Sequence, residues 1–157
     1  MANEKILVLD FGGQYNQLIA RRVRDEKVYA EILPYTAPLE KIKEGGYKGI
    51  IFTGGPNSVY DPKSPHYTEE ILSLGVPVLG ICYGCQLIAF MEKGEVATAP
   101  VSEYGKIELT AKTENALFKG INEKSTVWMS HTDYISKAPA GYEVIGKTDD
   151  CPCAAMQ

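Results

Sequence analysis

Up to Gly94, short aliphatic runs alternate with one-sided helical patterns in a regular rhythm. Residues 6–9 form a continuous aliphatic run ending in Asp10-Phe11-Gly12-Gly13, which reads as a buried strand that turns sharply. Leu18, Ile19 and Val23, set among Arg21, Arg22 and Arg24, give a helix with one apolar face. A second strand, 29–33, is stopped by Pro34, and 38–44 predicts a short helix closed by Gly45-Gly46. A third strand, 49–53, runs into Gly54-Gly55-Pro56. Ser64-Pro65 opens a helix that continues through Leu72 and stops at Gly75. A fourth strand, 76–81, leads into a helix over 83–93. Strands and helices in this order predict an α/β fold: an open, mostly parallel sheet, flavodoxin-like, with helices on both faces and right-handed crossovers.

After Gly94 the rhythm changes. Residues 96–100, 106–111, 126–129 and 142–147 read as strands at short intervals, more antiparallel in character. No repeat, low-complexity tract or linker interrupts them. The last residues, from Cys151 to Gln157, read as the beginning of a strand. The expectation is therefore one domain over 1–157, incomplete at its C-terminus.

Composition narrows the partners. Hydrophobic residues at 45% and charged residues at 23% are ordinary for a soluble globular chain. A net charge of −4 gives no electrostatic reason to expect nucleic acid or an anionic membrane. No apolar run reaches the roughly 18 residues of a membrane span, and the start shows no basic stretch followed by an apolar one. The expected location is cytoplasmic, where four cysteines are better read as thiols than as a disulfide frame.

The sharpest chemical signal is Gly80-Ile81-Cys82-Tyr83-Gly84, directly after a strand and directly before a helix. This has the form of a nucleophile elbow with cysteine in place of serine. Side chains two residues to either side of the nucleophile would collide with the adjoining strand and helix. The sulfur would lie at a helix N-terminus, where the dipole favours thiolate, and the Tyr83 N–H could serve half of an oxyanion hole. Three other readings fit parts of the pattern. Cys82 could be an inert thiol at a glycine turn. Cys82-Tyr83-Gly84-Cys85 could be a redox C-x-x-C, although that motif belongs near the first strand–helix unit of its fold. Cys82 and Cys85 could join Cys151 and Cys153 around zinc, on a weak spacing. Gly54-Gly55-Pro56 follows a neighbouring parallel strand, so its backbone would reach the same sheet edge and could approach a ligand closely.

These motifs together resemble the class I (triad-type) glutamine amidotransferases. Asp10-Phe11-Gly12-Gly13-Gln14-Tyr15, Glu103-Tyr104-Gly105 and Trp128-Met129-Ser130-His131-Thr132-Asp133 narrow the resemblance to the glutaminase domains that serve GMP synthetases. The resemblance implies attack of a cysteine on the side-chain amide of free glutamine, giving a thioester and ammonia. The ammonia would then serve ATP-dependent amination of XMP to GMP in a synthetase domain or subunit. By position it makes Cys82 the nucleophile and Gly55 and Tyr83 the backbone donors of the oxyanion hole. It makes Gly54, Gln86, Ser130, Thr132 and Asp133 contacts to glutamine. It implies no cofactor or metal in this domain; ATP and Mg belong to the synthetase partner.

Two departures stand out. Cys85 occupies a position where the family usually has methionine. The family's general base and its orienter, in a His-Pro-Glu motif, do not occur among these residues. The histidines present are His66, expected at the surface, and His131, in the Ser-His-Thr-Asp stretch and not the base. A chain lacking that pair is expected to show little or no turnover of glutamine; the alternative reading is a non-catalytic binding or regulatory fragment.

Overall fold

A computed structural model describes residues 4–157; the opening stretch 1–3, where no targeting segment is expected, lies outside them. The chain divides into two compact units, Met1–Ile88 and Ala89–Gln157.

The first unit holds four parallel strands in the order β2-β1-β3-β4. These are β1 (Lys5–Asp10), β2 (Tyr29–Pro34), β3 (Gly49–Phe52) and β4 (Val78–Gly80). In β1 three successive residues, Leu7, Val8 and Leu9, are fully buried. A strand covered on both faces needs such an unbroken apolar run, which is why it does not alternate. Helix α1 (Asn16–Asp25) lays Ile19, Ala20 and Val23 against Val8, Ala30 and Ile32. Arg22 and Arg24 occupy its last turn, where positive charge complements the helix dipole. The Arg24 guanidinium also donates to the Ala30 carbonyl at 2.7 Å, tying that turn to β2. Helix α2 (Leu39–Glu44) follows Pro38 and gives way to Gly45-Gly46, with Gly46 at φ 67°.

The expected helix from Ser64 through Leu72 is cut to a short 3-10 turn, Glu69–Ser73. Ser64 and His66 are bound elsewhere. The Ser64 hydroxyl donates to the Ser58 carbonyl at 2.6 Å. The His66 ring lies 2.8 Å from the Ser64 carbonyl and 2.9 Å from that of Val59. That stretch therefore folds back on its own loop. His66 is half-buried, a loop anchor where a surface residue was expected.

Helix α3 (Tyr83–Met91) follows β4. The second unit is an antiparallel sheet of β5 (Glu95–Ala111), β6 (Lys124–Lys137), β7 (Val144–Lys147) and β8 (Ala155–Met156), in the order β6-β5-β7-β8. The two strands expected at 96–100 and 106–111 are one long strand, interrupted by a register shift between Thr98 and Glu103. A bulge absorbs Pro100, which has no N–H to give a ladder. The final residues do form a strand: β8 pairs with β7, and Gln157 exchanges backbone hydrogen bonds with Glu143 at 2.7 and 3.0 Å. Half of the strands are thus antiparallel and confined to the later unit.

Candidate active site

Cys82 stands between the end of β4 and the first turn of α3, with its backbone in the left-handed region at φ 55°. A residue with a Cβ pays about 1–2 kcal/mol to sit there. The neighbouring glycines show why the chain accepts it. A Cβ on Gly80 would stand 2.6 Å from the Cys85 nitrogen, and one on Gly84 would stand 2.7 Å from the Phe52 carbonyl carbon. Neither position tolerates a side chain without moving backbone, so the strand can turn into the helix this tightly only with glycine at both. The Ile81 N–H donates to the Phe52 carbonyl at 3.0 Å, and the Gln86 N–H to the Cys82 carbonyl at 3.1 Å. The cysteine is thus pinned from the strand side and from the helix side.

Tyr83 anchors the turn. Its side chain is fully buried, its hydroxyl donates to the Pro65 carbonyl at 2.5 Å, and its ring centroid lies 5.9 Å from that of Phe11. Phe11 in turn packs 5.1 Å from Phe52, and its N–H donates to the Thr53 hydroxyl at 3.0 Å. The ends of β1 and β3 and the elbow therefore share one aromatic floor. With the ring fixed, the Tyr83 N–H is fixed too, and it points at the Cys82 sulfur.

Gly54 lies directly in front of that sulfur: a Cβ built on it would be 3.4 Å from the Cys82 Cβ and 3.9 Å from Sγ. A Cβ on Gly55 would stand 2.7 Å from the Phe11 carbonyl oxygen. The first glycine leaves the approach to the thiol open, and the second lets β3's exit loop pass close to the end of β1. Cys82, Tyr83, Gly54 and Gly55 are thereby brought to one sheet edge, as the parallel register of Phe52 with Gly80 requires. Gln86 is buried in the first turn of α3, and Cys85 beside it is half-buried. All four cysteines are free thiols.

Cys82 as a residue is exposed, yet the protein around its sulfur pushes the thiol above its ordinary value, with desolvation the larger cause. The Tyr83 N–H acts in the opposite direction and does not overcome it. The expectation that the helix N-terminus favours thiolate therefore holds for one contribution and fails for the net effect. A nucleophile in this state needs a base to take its proton.

The remaining predicted site residues lie in β6. Ser130 and Thr132 are exposed, whereas His131 and Asp133 alternate to the other face. Thr132 shares a 2.8 Å hydrogen bond with the Tyr104 hydroxyl, and Asp133 accepts one from Thr98 at 3.1 Å. Sequence reasoning missed two features. Asn16 donates to the Gly13 carbonyl at 2.9 Å, and its buried Oδ1 has no hydrogen-bond partner. Glu103, quoted only as part of a motif, is buried and faces His131. An asparagine opening a helix and a glutamate within a strand carry no sequence signal for either role.

A shallow depression lined by Ile42, Tyr47, Ile50, Leu74 and Val76 opens at the N-terminal ends of the strands, the edge opposite to Cys82. No helix among the described residues is long and apolar enough to cross a membrane.

Comparison with known proteins accords with this geometry. Residues 7–157 match the family described as glutamine amidotransferase class-I. The chain is 58% identical over its full length to "GMP synthase [glutamine-hydrolyzing]" of Clostridium botulinum strain Hall, covering 31% of that protein. It is 61% identical over 152 residues to the protein of the same name from Clostridium perfringens strain 13, covering 97% of this chain and 30% of that protein. The chain thus spans about a third of the length of these relatives. Among solved structures, a GMP synthase subunit of Thermoplasma acidophilum, described as putative, superposes with a TM-score of 0.81 at 27% identity, over 100% of this chain and 79% of that one. A glutamine amidotransferase of Thermotoga maritima shares the fold, with a TM-score of 0.80 at 18% identity over 100% and 72% of the two chains. The chain belongs to the class I glutamine amidotransferase family.

Proposed function

We propose that this chain is the glutaminase part of a GMP-forming amidotransferase, with Cys82 as its nucleophile. The observation that carries the reading is the elbow itself: a cysteine at φ 55° between two glycines that admit no side chain, with Gly54, which has no side chain, directly in front of its sulfur. In the proposed reaction Sγ bonds to the side-chain amide carbon of glutamine while the thiol proton passes to the departing nitrogen. The C–N bond breaks and ammonia leaves. Water then adds to the thioester, the C–S bond breaks, and a proton returns to sulfur, leaving glutamate. The Gly55 and Tyr83 N–H groups would hold the tetrahedral oxyanion, a contribution of about 3–4 kcal/mol per donor in comparable sites.

Both histidines of the chain are engaged with other partners. The two ring nitrogens of His66 lie 2.8 and 2.9 Å from backbone carbonyls of its own loop. His131 Nε2 faces Glu103 at 2.8 Å, and its Nδ1 is buried. Without a general base, turnover by these residues alone is expected to fall about 10²–10⁴-fold. Assignment of Gln86, Ser130, Thr132 and Asp133 to glutamine binding rests on the family resemblance. The names of the curated relatives, GMP synthases that hydrolyse glutamine, support a GMP-forming synthetase domain as the consumer of the ammonia, and the family resemblance adds ATP and XMP as its substrates. Trp128 at 76% exposure and Tyr104 at 63%, beside exposed Ser130 and Thr132, suit a docking face for that domain.

A glutamine-like diazo-ketone amino acid tests the nucleophile. Mass spectrometry should find a single adduct on Cys82, suppressed by excess glutamine, with Cys85 unmodified. An adduct on Cys85, or labelling that glutamine does not suppress, overturns the assignment.

A further inference from the structure

The second unit carries a cluster of side chains that the glutaminase reading does not use. Glu103 on β5 and His131 on β6 are direct cross-strand partners, with Nε2 2.8 Å from the carboxylate oxygen Oε2. Glu103 is 3% exposed. Its other oxygen accepts a hydrogen bond from the buried Thr148 hydroxyl, and Thr148 in turn accepts one from the Cys151 N–H at 2.9 Å. This places the 4%-exposed Cys151, from the segment between β7 and β8, against the same carboxylate. One oxygen of Glu103, one ring nitrogen of His131 and the sulfur of Cys151 all lie within 4.8 Å of one another. The Nδ1 of His131 is buried and has no hydrogen-bond partner, so the imidazole keeps a lone pair or a proton that the protein leaves unanswered.

From this arrangement we propose that Glu103, His131 and Cys151 form a binding site for Zn²⁺. The donor set is the one that selects this ion: a thiolate and an imidazole favour zinc over magnesium or calcium, and a single carboxylate completes a mixed sphere. Charge closes as well. One carboxylate, one thiolate and a neutral imidazole around a divalent ion sum to zero, which a buried site requires. Zinc bond lengths of about 2.0–2.3 Å set tetrahedral ligands about 3.4–3.6 Å apart. The three ligand atoms already lie within 4.8 Å of one another, so side-chain movements alone bring them to these separations. Thr148 would keep the carboxylate oriented, as outer hydrogen bonds do around metal ligands. Three protein ligands leave a fourth position for solvent.

Metal binding must displace the Cys151 proton, because the thiolate and not the thiol is the ligand. The titratable groups facing it are Glu103 from β5, His131 from β6, and Cys153 from its own segment. Zinc affinity should therefore rise with pH across the neutral range.

The test is titration of the chain with Co²⁺ as a spectroscopic stand-in, followed by Zn²⁺ competition. A near-ultraviolet thiolate-to-cobalt band together with tetrahedral visible bands, both displaced by Zn²⁺, is the expected result. The band should survive in the Cys82→Ser/Cys85→Ser double variant and vanish in Cys151→Ser. Glu103→Gln preserves the side chain's volume and its bond from Thr148, and should weaken zinc by at least about tenfold while keeping the thiolate band. If Cys151→Ser does not fold, Glu103→Gln decides the matter by thermal melts, in which zinc should raise the Tm of the unaltered chain more than that of the variant. No cobalt band in the unaltered chain, a band that follows Cys82 and Cys85, or equal zinc affinity in Glu103→Gln overturns the proposal. An ion pair serving structure alone gives the first of these.

Discussion

Replacing Cys82 by glycine should make the chain more stable than replacing it by alanine, which inverts the usual order of the two residues. Both substitutions remove the desolvated thiol, so their difference isolates the backbone. At φ 55° alanine retains the clash between Cβ and the following carbonyl, about 1–2 kcal/mol, and glycine does not. Glycine gives back about 0.5–1 kcal/mol through the greater freedom of its unfolded chain. The net gain is about 0–1.5 kcal/mol, centred at about 0.8 kcal/mol, in favour of Cys82→Gly. Equilibrium urea unfolding reads this as a higher midpoint at unchanged slope, which also shows that the folded and unfolded states stay comparable. Lys27 supplies a control, since it is exposed at φ 62° in the turn after α1 and has no proposed chemistry. Lys27→Gly should exceed Lys27→Ala by a similar amount. If the Lys27 pair behaves this way while Cys82→Gly is equal to or weaker than Cys82→Ala, the elbow is not strained and the argument for a displayed nucleophile loses its physical basis.

Gly84→Ala should cost about 1–3 kcal/mol, because its methyl group meets the Phe52 backbone, which cannot yield as a side chain can; urea unfolding measures the loss, and labelling of Cys82 by the diazo-ketone should fall with it. The pH profile of Cys82 alkylation offers a further check. Burial holds the thiol protonated beyond its ordinary range, so the rate should climb with its midpoint above that of a free cysteine under the same conditions. The matching stability effect has a fixed sign: the folded state keeps the proton longer, so stability is full below the unfolded cysteine value and declines as pH rises through the folded one. A midpoint below that of free cysteine would show that the Tyr83 N–H and the helix outweigh desolvation.

The legible parts of this fold are those decided locally. The unbroken Leu7-Val8-Leu9 run says that both faces of a strand are covered, and needs no knowledge of what covers them. Gly80 and Gly84 are required by atoms of the adjoining strand and helix within a few residues, apart from the Phe52 backbone that parallel pairing brings alongside. The illegible parts depend on partners distant in sequence. The stretch at 64–68 has the composition of a helix start, but hydrogen bonds from Ser64 and His66 to the Ser58 and Val59 carbonyls hold it in the loop. The continuity of β5 through Glu103-Tyr104-Gly105 is set by β6 across the ladder, and Pro100 falls inside a register shift that no periodicity announces. The net direction of the Cys82 thiol belongs here too, because the dipole follows from position in the chain and desolvation follows from packing.

Glu103 and His131 show the same divide within the candidate chemistry. In sequence His131 is one residue of a polar stretch, and its neighbours Ser130, Thr132 and Asp133 all look available to one pocket. Strand alternation separates them: Ser130 and Thr132 turn to the exposed face with Trp128, while His131 and Asp133 turn to the other. There His131 meets a carboxylate 28 residues earlier in the chain and a cysteine between the last two strands. A motif compact in sequence is therefore divided between two kinds of work. One face carries exposed groups suited to meeting another surface. The other builds a buried polar cluster whose members must be satisfied by each other, by protons or by a metal ion, since water has little access to it.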